Sequence, residues 1–412
     1  MFMKNLKKKT RLSIAELEKK TKAYALKNAL AYEGGARMGP VISALFNEGL
    51  EKKEVKKYSK KISEIILQIN SLSKEEQEKE FKKLEKIISV RHGREGLPEL
   101  PGAKKGKVIM RFAPSASGPF HIGHALTASL SFLFVKKYGG KFYVRIEDTN
   151  PENIYPLSYK MIKEESMWLF NKTGKIMIQS DRVELYYKYA EKLIRKGASY
   201  VCACSAEKFK EFIAAKKNCP CRKFGVKENL ERWKKMLSEK GFKEGEAVLR
   251  FKSGMKDKNP AMRDFPLARI NLTKHPRQGN KYRVWPLMNL AVSVDDIEMK
   301  MTHIIRAKDH RDNSERQRMI YKVLGKKFPW TAFLGKIKFK DLELSSTKIR
   351  KEIEKGNYSG WDDPALPTIA FLKRKYKPSA FWKFAEHIGL SEKDKVMDKE
   401  EFFKLLDAFN RG

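Results

Sequence analysis

The first hundred residues carry apolar positions at helical spacing, interrupted by glycine and by charged stretches. Leu12-Ser13-Ile14-Ala15-Glu16-Leu17 contains a capping box, in which Ser13 and Glu16 close the helix start while Leu12 and Leu17 form a hydrophobic staple. Gly34-Gly35 ends that helix. A second helix runs through Ile62, Ile65, Ile66 and Ile69, and a third, rich in lysine and glutamate, begins at Ser73 with Glu76 at its capping position. Leu97-Pro98-Glu99-Leu100-Pro101-Gly102 reads as a linker. From Val108 the period changes. Residues 108–112 form an apolar, strand-compatible run, residues 114–119 sustain no regular structure, and helical composition returns with Leu126, Leu130 and Phe134.

A strand over 141–146 and a helix over 158–170 follow, and strands joined by helices imply a parallel, doubly wound sheet of the Rossmann-like α/β class. Its ligand crevice should lie beyond the C-terminal ends of the strands. A helix over 183–196 leads to Tyr200 and a cysteine-bearing module that interrupts the sheet up to about Lys281. Strand-like runs at 282–285 and 303–306 are expected to resume the α/β layer. After Lys348 the chain is mostly helical, with breaks at Pro364, Pro367 and Pro378.

The chain has 412 residues, enough for two to four domains, and no apolar run approaches a membrane span. Its start, MFMKNLKKKTR, lacks the apolar core of a signal peptide, so a cytoplasmic location is expected. Charge adds something the hydropathy pattern does not. There are 88 Lys+Arg against 50 Asp+Glu, a net +38 spread along the whole chain. Either a polyanionic partner or a general lysine bias accounts for this, and charge alone names neither.

The four cysteines fall as Cys202-Ala203-Cys204 and Cys219-Pro220-Cys221. Two close pairs with a short connection suit a closed, structural tetrahedral Zn²⁺ site of four thiolates; four free thiols are the alternative. Neither a P-loop nor a dinucleotide glycine fingerprint is present. The strand–loop–helix junction ending in His121-Ile122-Gly123-His124 is the candidate anion site. Exposed N–H groups and the positive helix end point at such a junction, and histidines three apart share a helix face.

The string Arg111-Phe112-Ala113-Pro114-Ser115-Ala116-Ser117-Gly118-Pro119-Phe120-His121-Ile122-Gly123-His124 resembles the HIGH signature of class I aminoacyl-tRNA synthetases, and Arg-Phe-Ala-Pro-Ser narrows the likeness to the glutamyl/glutaminyl subgroup. Arg145-Ile146-Glu147-Asp148-Thr149-Asn150-Pro151 is similar to the second subgroup motif. Gln179-Ser180-Asp181-Arg182 with Tyr186 and Tyr187 resembles the entry to an acceptor-binding insertion, and Thr302-His303-Ile304-Ile305-Arg306 the strand carrying the side-chain selector. The N-terminal hundred residues and the cysteine module are similar to the archaeal glutamyl-tRNA synthetases in particular.

This likeness implies an ATP-dependent ligase that makes glutamyl-adenylate and transfers glutamate to the 3′ end of tRNA(Glu), with tRNA(Gln) as a second substrate to be tested. Arg111 and Arg306 would bind the substrate carboxylates, Glu147 the α-amino group, and Ser115 would contact the bound amino acid. His121 and His124 would stabilise the ATP phosphates, with Ser117, Gly118 and Gly123 lining the nucleotide site and Gly123 leaving room for the adenine. Leu344-Ser345-Ser346-Thr347-Lys348 corresponds to the KMSKS loop, where only the last lysine matches; Lys348 would touch the triphosphate and Ser345 and Ser346 supply hydroxyls. Mg²⁺ would accompany ATP. No general base is needed, because the attacking carboxylate is already ionised at pH 7. Taken alone, Arg145 and Glu147 could equally be a cross-strand or surface ion pair worth under about 1 kcal/mol, and the same holds for Arg306.

The implied layout is an N-terminal helical domain (1–100), the first half of the catalytic domain (101–198), an inserted acceptor-stem-binding subdomain with the four-cysteine zinc module (199–281), the second catalytic half (282–345), and the KMSKS-like loop with a helical stem-contact region (346–412). Family members continue past Asn410-Arg411 into β-barrels that read the anticodon, whereas this sequence stops at Gly412. The resemblance leaves three expectations open: a piece or split half with a separate polypeptide supplying anticodon recognition, a monomer charging tRNA from acceptor-arm contacts alone, or a likeness to shortened paralogues that glutamylate a tRNA base. A catalytically silent tRNA-binding relative is the competing reading.

Overall fold

The computed structural model describes residues 13–32, 35–88, 96–342 and 344–411, in two compact units divided at residues 93 and 94. Leu12 of the expected staple and Gly34 of the expected helix stop lie outside the described residues. The first unit is helical. It contains α1 (Ile14–Ala31), α2 (Met38–Glu48), α3 (Val55–Asn70) and α4 (Lys74–Leu84). Both capping boxes form, Ser13 with Glu16 and Ser73 with Glu76. The isoleucines at 62, 65, 66 and 69 are buried with Leu17, Leu26, Val41 and Leu45, as their helical spacing requires. The sequence pattern missed α2, a short apolar helix that ends on Gly49 in the left-handed conformation.

The second unit begins with β1 (Val108–Phe112), α5 (Ile122–Tyr138), β2 (Gly140–Ile146), α6 (Ser158–Leu169), β3 (Lys175–Ile178) and α7 (Val183–Arg195). These are followed by β4 (Ser199–Cys202), α8 (Ala206–Ala214), α9 (Val226–Leu237), β5 (Val248–Phe251), β6 (Pro266–Ile270) and β7 (Val284–Pro286). Then come α10 (Met288–Glu298), β8 (His303–Ala307), α11 (Arg311–Leu324), β9 (Trp330–Leu334) and β10 (Ile337–Phe339). The chain closes with α12 (Ser346–Glu354), α13 (Ile369–Leu372), α14 (Pro378–Ile388), β11 (Lys395–Met397) and α15 (Lys399–Arg411). No helix among the described residues is long and apolar enough to cross a membrane.

The expected parallel α/β layer is present in two pieces. β1, β2 and β3 pair in parallel, and β8 pairs in parallel with β9. Thr302 joins the pieces at their N-terminal ends: its Oγ accepts the Ile109 N–H at 2.9 Å, and its own N–H donates to the Ile109 carbonyl at 3.0 Å. Past that joint β1 and β8 share no ladder bond, and the space between their C-terminal ends opens into a cavity. This is where a doubly wound sheet places its ligand crevice. Helix α5 is apolar on most sides because it lies inside the largest core, between the sheet and α14.

One expected strand belongs elsewhere. The run at 282–285 was expected to resume the α/β layer, but β7 is the last strand of a separate antiparallel sheet ordered β4-β5-β6-β7. A run of three apolar residues specifies a strand but not its partner, and the thirteen residues between β6 and β7 could span either an antiparallel or a parallel connection. The pairing Arg269 to Trp285 takes the inserted module beyond residue 281. Strands β3, β4, β5, β6, β9, β10 and β11 also went unread, the last two forming a small parallel pair.

Candidate active site

The signature loop is fixed from both sides. Residues 114–116 run beside Glu147: the Glu147 N–H donates to the Pro114 carbonyl at 2.8 Å, and the Ala116 N–H donates to the Glu147 carbonyl at 3.2 Å. This extends the β1–β2 pairing and turns the Glu147 side chain toward the cavity. On the far side Ile122 N–H donates to Pro367 O at 3.0 Å, and Ile369 N–H to Phe120 O at 2.7 Å. The buried Glu165 of α6 accepts the Phe120 N–H at 2.6 Å, and burial pushes its carboxyl up to about 8. Glu165 was not singled out from the sequence, where it is one of two adjacent glutamates on α6.

His121 and His124 meet, although not as two first-turn residues. His121 is the cap preceding α5, and its Nδ1 accepts the His124 N–H at 3.3 Å. The two rings stack with centroids 3.6 Å apart and planes 23° from parallel. Burial lowers both basicities, that of His124 to about 4, so in the free protein at neutral pH both are uncharged donors. A Cβ added at Gly123 would come within 3.1 Å of the His121 ring, so the missing side chain makes room for the cap itself. At Gly118 a Cβ would lie 2.9 Å from Trp361 and 3.1 Å from the Ser346 Cβ. That close approach seats the 344–348 stretch against the signature loop. Ser345 caps α12 by accepting the Lys348 N–H at 3.4 Å, and Ser115 and Ser117 share a hydroxyl hydrogen bond at 2.9 Å.

The cavity holds about 370 Å³ and is lined by Arg111, Ser115, His124, Glu147, Met288 and Arg306, among others. Neither Arg145 nor Arg306 is a surface ion-pair residue: Arg145 is fully buried and Arg306 is 7% exposed. Arg111 is gripped by Asp296, with Nε at 3.3 Å from Oδ1 and Nη2 at 3.4 Å from Oδ2. Arg145 donates to Asp296 at 2.5 Å and to Glu147 at 3.2 Å. Burial opposes ionisation of Asp296, but Arg111 and Arg145 outweigh it and hold the carboxyl below its usual range. For Glu147 burial prevails over the same arginines and raises its carboxyl.

Among the described residues no carboxylate contacts Arg306. Its Nη1 donates to Gln317 Oε1 at 2.8 Å and to Ser314 Oγ at 3.2 Å, and its buried Nε has no acceptor. Burial, reinforced by Arg111, lowers its basicity to about 10. Asp295 lies beside Asp296 on α10 and accepts from Gln179, Arg182 and Tyr186 at 2.8 to 2.9 Å. The sequence reading overlooked both aspartates. Their signal was there: an acidic pair set in the apolar run Val292-Ser293-Val294-Asp295-Asp296-Ile297 must be buried and must therefore be paired. His310 on the cavity wall was also missed; burial, with Arg306 and Arg111, lowers it to about 4.

The four cysteines converge away from this cavity, with sulfurs within 4.8 Å of one another. Cys202 and Cys219 are 3.8 Å apart and Cys204 and Cys221 3.9 Å. Tetrahedral bonds of about 2.3 Å require sulfur separations of about 3.8 Å, so the donor set fits Zn²⁺. Among the described residues no other group of three or more metal-type side chains comes this close.

The profile of class I tRNA synthetases (E and Q), catalytic domain, matches residues 107–410. The chain is 42% identical over 391 residues to the glutamate–tRNA ligase of Methanocaldococcus jannaschii, covering 94% of this chain and 70% of that protein. It is 43% identical over 411 residues to that of Pyrococcus horikoshii, covering 96% and 70%. A crystal structure of a glutamate tRNA ligase from Elizabethkingia meningosepticum in complex with its amino acid superposes with a TM-score of 0.49 at 24% identity, over 68% of this chain and 60% of that one. With a catalytic-domain match over three-quarters of its length and relatives above 40% identity across nearly all of it, this chain belongs to the glutamyl/glutaminyl branch of the class I tRNA synthetases.

Proposed function

We propose that this chain is a glutamate–tRNA ligase whose adenylation site is the cavity between β1 and β8. One observation carries the choice of amino acid. Among the described residues around the cavity, the four guanidinium groups of Arg111, Arg145, Arg182 and Arg306 face the three carboxylates of Glu147, Asp295 and Asp296, with Asp295 shared between Arg182 at 2.8 Å and Arg145 at 3.7 Å. The buried cluster thus has one positive charge in excess. Glutamate at neutral pH carries two carboxylates and one ammonium, a net charge of minus one, and closes the balance. Glutamine carries none and would leave a buried guanidinium uncompensated.

In this reading Arg306 takes the γ-carboxylate, Arg111 the other carboxylate and Glu147 the ammonium, with Ser115 beside the bound amino acid. The α-carboxylate oxygen attacks the α-phosphorus of ATP; an O–P bond forms, the bond to the β-phosphate oxygen breaks, and pyrophosphate leaves with that electron pair. The terminal hydroxyl of tRNA then attacks the acyl carbon and AMP departs. Neutral His121 and His124 donate to phosphate oxygens as charge shifts onto pyrophosphate, a role that suits preorganised donors. The nucleotide would lie along Ser117, Gly118 and Gly123, with Ser345, Ser346 and Lys348 on the triphosphate side. Mg²⁺ would arrive with the triphosphate and keep most of its water, since no acidic cage awaits it among the described residues. The basic surface would hold tRNA(Glu) through phosphate and sugar, with a steep salt dependence.

The test is tRNA-dependent ATP–pyrophosphate exchange with glutamate, repeated for His124→Ala. Loss of one preorganised donor is expected to lower kcat by about 10²–10³-fold with little change in tRNA affinity. Wild-type protein that bound tRNA and supported no exchange would favour the silent-relative reading instead.

The proposed zinc site would be held by Cys202, Cys204, Cys219 and Cys221 and would tie β4 to the following loop without entering the chemistry. Elemental analysis is expected to find about one zinc per chain, and chelation to melt this module while leaving the α/β layer folded. Full zinc occupancy in Cys219→Ser would rule out four-thiolate ligation.

A further inference from the structure

Two arginines face the cavity, and the protein holds them in chemically opposite ways. Arg111 is gripped by a carboxylate, which orients it and also cancels its charge. Arg306 is gripped by an amide and a hydroxyl, which orient it and cancel nothing. We infer that Gln317 is a specificity-determining positioning residue: its neutral oxygen fixes the Arg306 guanidinium while leaving that charge for the γ-carboxylate of the substrate. The inference rests on the cavity being a glutamate site, and it names the residue on α11 that keeps it one.

The surroundings support the assignment. Gln317 is 1% exposed, so its amide has no solvent to turn toward. Its Nε2 donates to Asn289 Oδ1 at 3.3 Å, which commits the nitrogen end and leaves Oε1 facing Arg306 at 2.8 Å. Asn289 is fixed in turn: its Nδ2 donates to Asn313 Oδ1 at 3.3 Å, and Asn313 lies against His310 Nδ1 at 3.2 Å. The guanidinium therefore ends a chain of neutral groups on and next to α10 and α11, which the Arg316 guanidinium joins at Asn313 Oδ1 at 3.2 Å. None of the described residues named in that chain is acidic. This is unusual company for a buried arginine, because a carboxylate in the same place would compensate the burial of charge far better.

Glutamate at position 317 would reach equally far and put a carboxylate where the amide oxygen now accepts. The cluster would then be balanced before substrate arrived. A γ-carboxylate entering it would meet a guanidinium already paired and a second carboxylate close by, whereas a neutral γ-amide would meet no net charge. Substituting one charge for one amide should therefore move preference from glutamate toward glutamine without altering the phosphate side.

The experiment is steady-state ATP–pyrophosphate exchange on the full chain with tRNA, varying glutamate, glutamine and ATP separately, for wild type, Gln317→Glu and Gln317→Leu. Gln317→Glu is expected to raise the KM for glutamate about 100-fold and shift the glutamine-to-glutamate ratio of kcat/KM by a similar factor, the scale of a buried charge losing its counter-charge, with the KM for ATP changed by less than about twofold. Gln317→Leu removes the acceptor without adding charge; it should lose activity yet keep that ratio within about threefold of wild type. A glutamate KM within about threefold of wild type in Gln317→Glu, or an equal ratio shift in both variants, overturns the inference, the latter by showing that Gln317 acts through shape alone. A wild-type protein that activates neither amino acid overturns the glutamate reading, and this inference with it.

Discussion

Replacing Arg306 with alanine is expected to lower kcat/KM for glutamate by about three orders of magnitude, roughly 4 kcal/mol, while leaving the fold as stable as before or more so. The two halves of this expectation share a cause. In the free protein Arg306 is buried, lacks a carboxylate partner and has an Nε without an acceptor; burial lowers its basicity to about 10. Holding that charge costs the apo protein a few kcal/mol, on the order of 3, which alanine removes at the expense of some packing. In the proposed substrate complex the same group would become one member of a buried charge pair, and its loss would leave the γ-carboxylate desolvated and alone. Exchange kinetics and a thermal scan on the same preparation check both halves. A variant that lost activity and also melted well below wild type would show that Arg306 is a structural cation, and the charge-balance argument for glutamate would fall.

The other large effect is expected at Asp296, with the opposite sign in stability. Asp296→Asn keeps the shape but strips Arg111 of its contacting carboxylate and Arg145 of one of three, and breaking a buried network on one side costs about 3–5 kcal/mol. Activity should fall as well, because Arg111 loses the grip that aims it into the cavity and Arg145 loses a partner that helps hold it against Glu147. The pH dependence follows from the lowered carboxyl of Asp296. A carboxylate that ionises more readily folded than unfolded stabilises the protein fully above its unfolded value, near 4, and loses that contribution as pH falls through the folded value. The stability gap between wild type and Asp296→Asn should therefore be widest near neutrality and shrink in the acid limb. Denaturant midpoints at neutral pH and below pH 4 measure it. A gap indifferent to pH would mean that Asp296 acts as a hydrogen-bond acceptor and not as a charge.

Much of this site was legible because its first components are local. The strand at 108–112, the loop of small residues and the two histidines occupy one continuous stretch, and their backbone roles follow from proline, glycine and helix-capping preferences. The capping boxes at Ser13 and Ser73 were legible for the same reason. The cysteine pairs could be read as one cluster because their spacing leaves few other arrangements. What escaped was whatever depends on a partner far along the chain. β7 was assigned to the wrong sheet because three residues cannot specify which strand they join. Asp296 was passed over although Arg111 and Arg145 both end on it, across 185 and 151 residues. Arg306 was noticed, but its role could not be told from that of a surface ion pair until burial excluded the surface.

Sequence by itself determined the family, the parallel α/β layer and the convergence of the cysteines, and it named the groups proposed to touch ATP and an amino acid. These follow from short-range patterns, in which a residue's neighbours within a turn or a strand carry the information. Only the tertiary structure decided the electrostatics. Whether a guanidinium is cancelled by a carboxylate or merely held by an amide depends on which helix packs beside it, and two helices apart in sequence, α10 and α11, bring Asp296 to Arg111 and Gln317 to Arg306. A buried charge is worth several kcal/mol more or less according to that one neighbour, and no local pattern records who the neighbour will be.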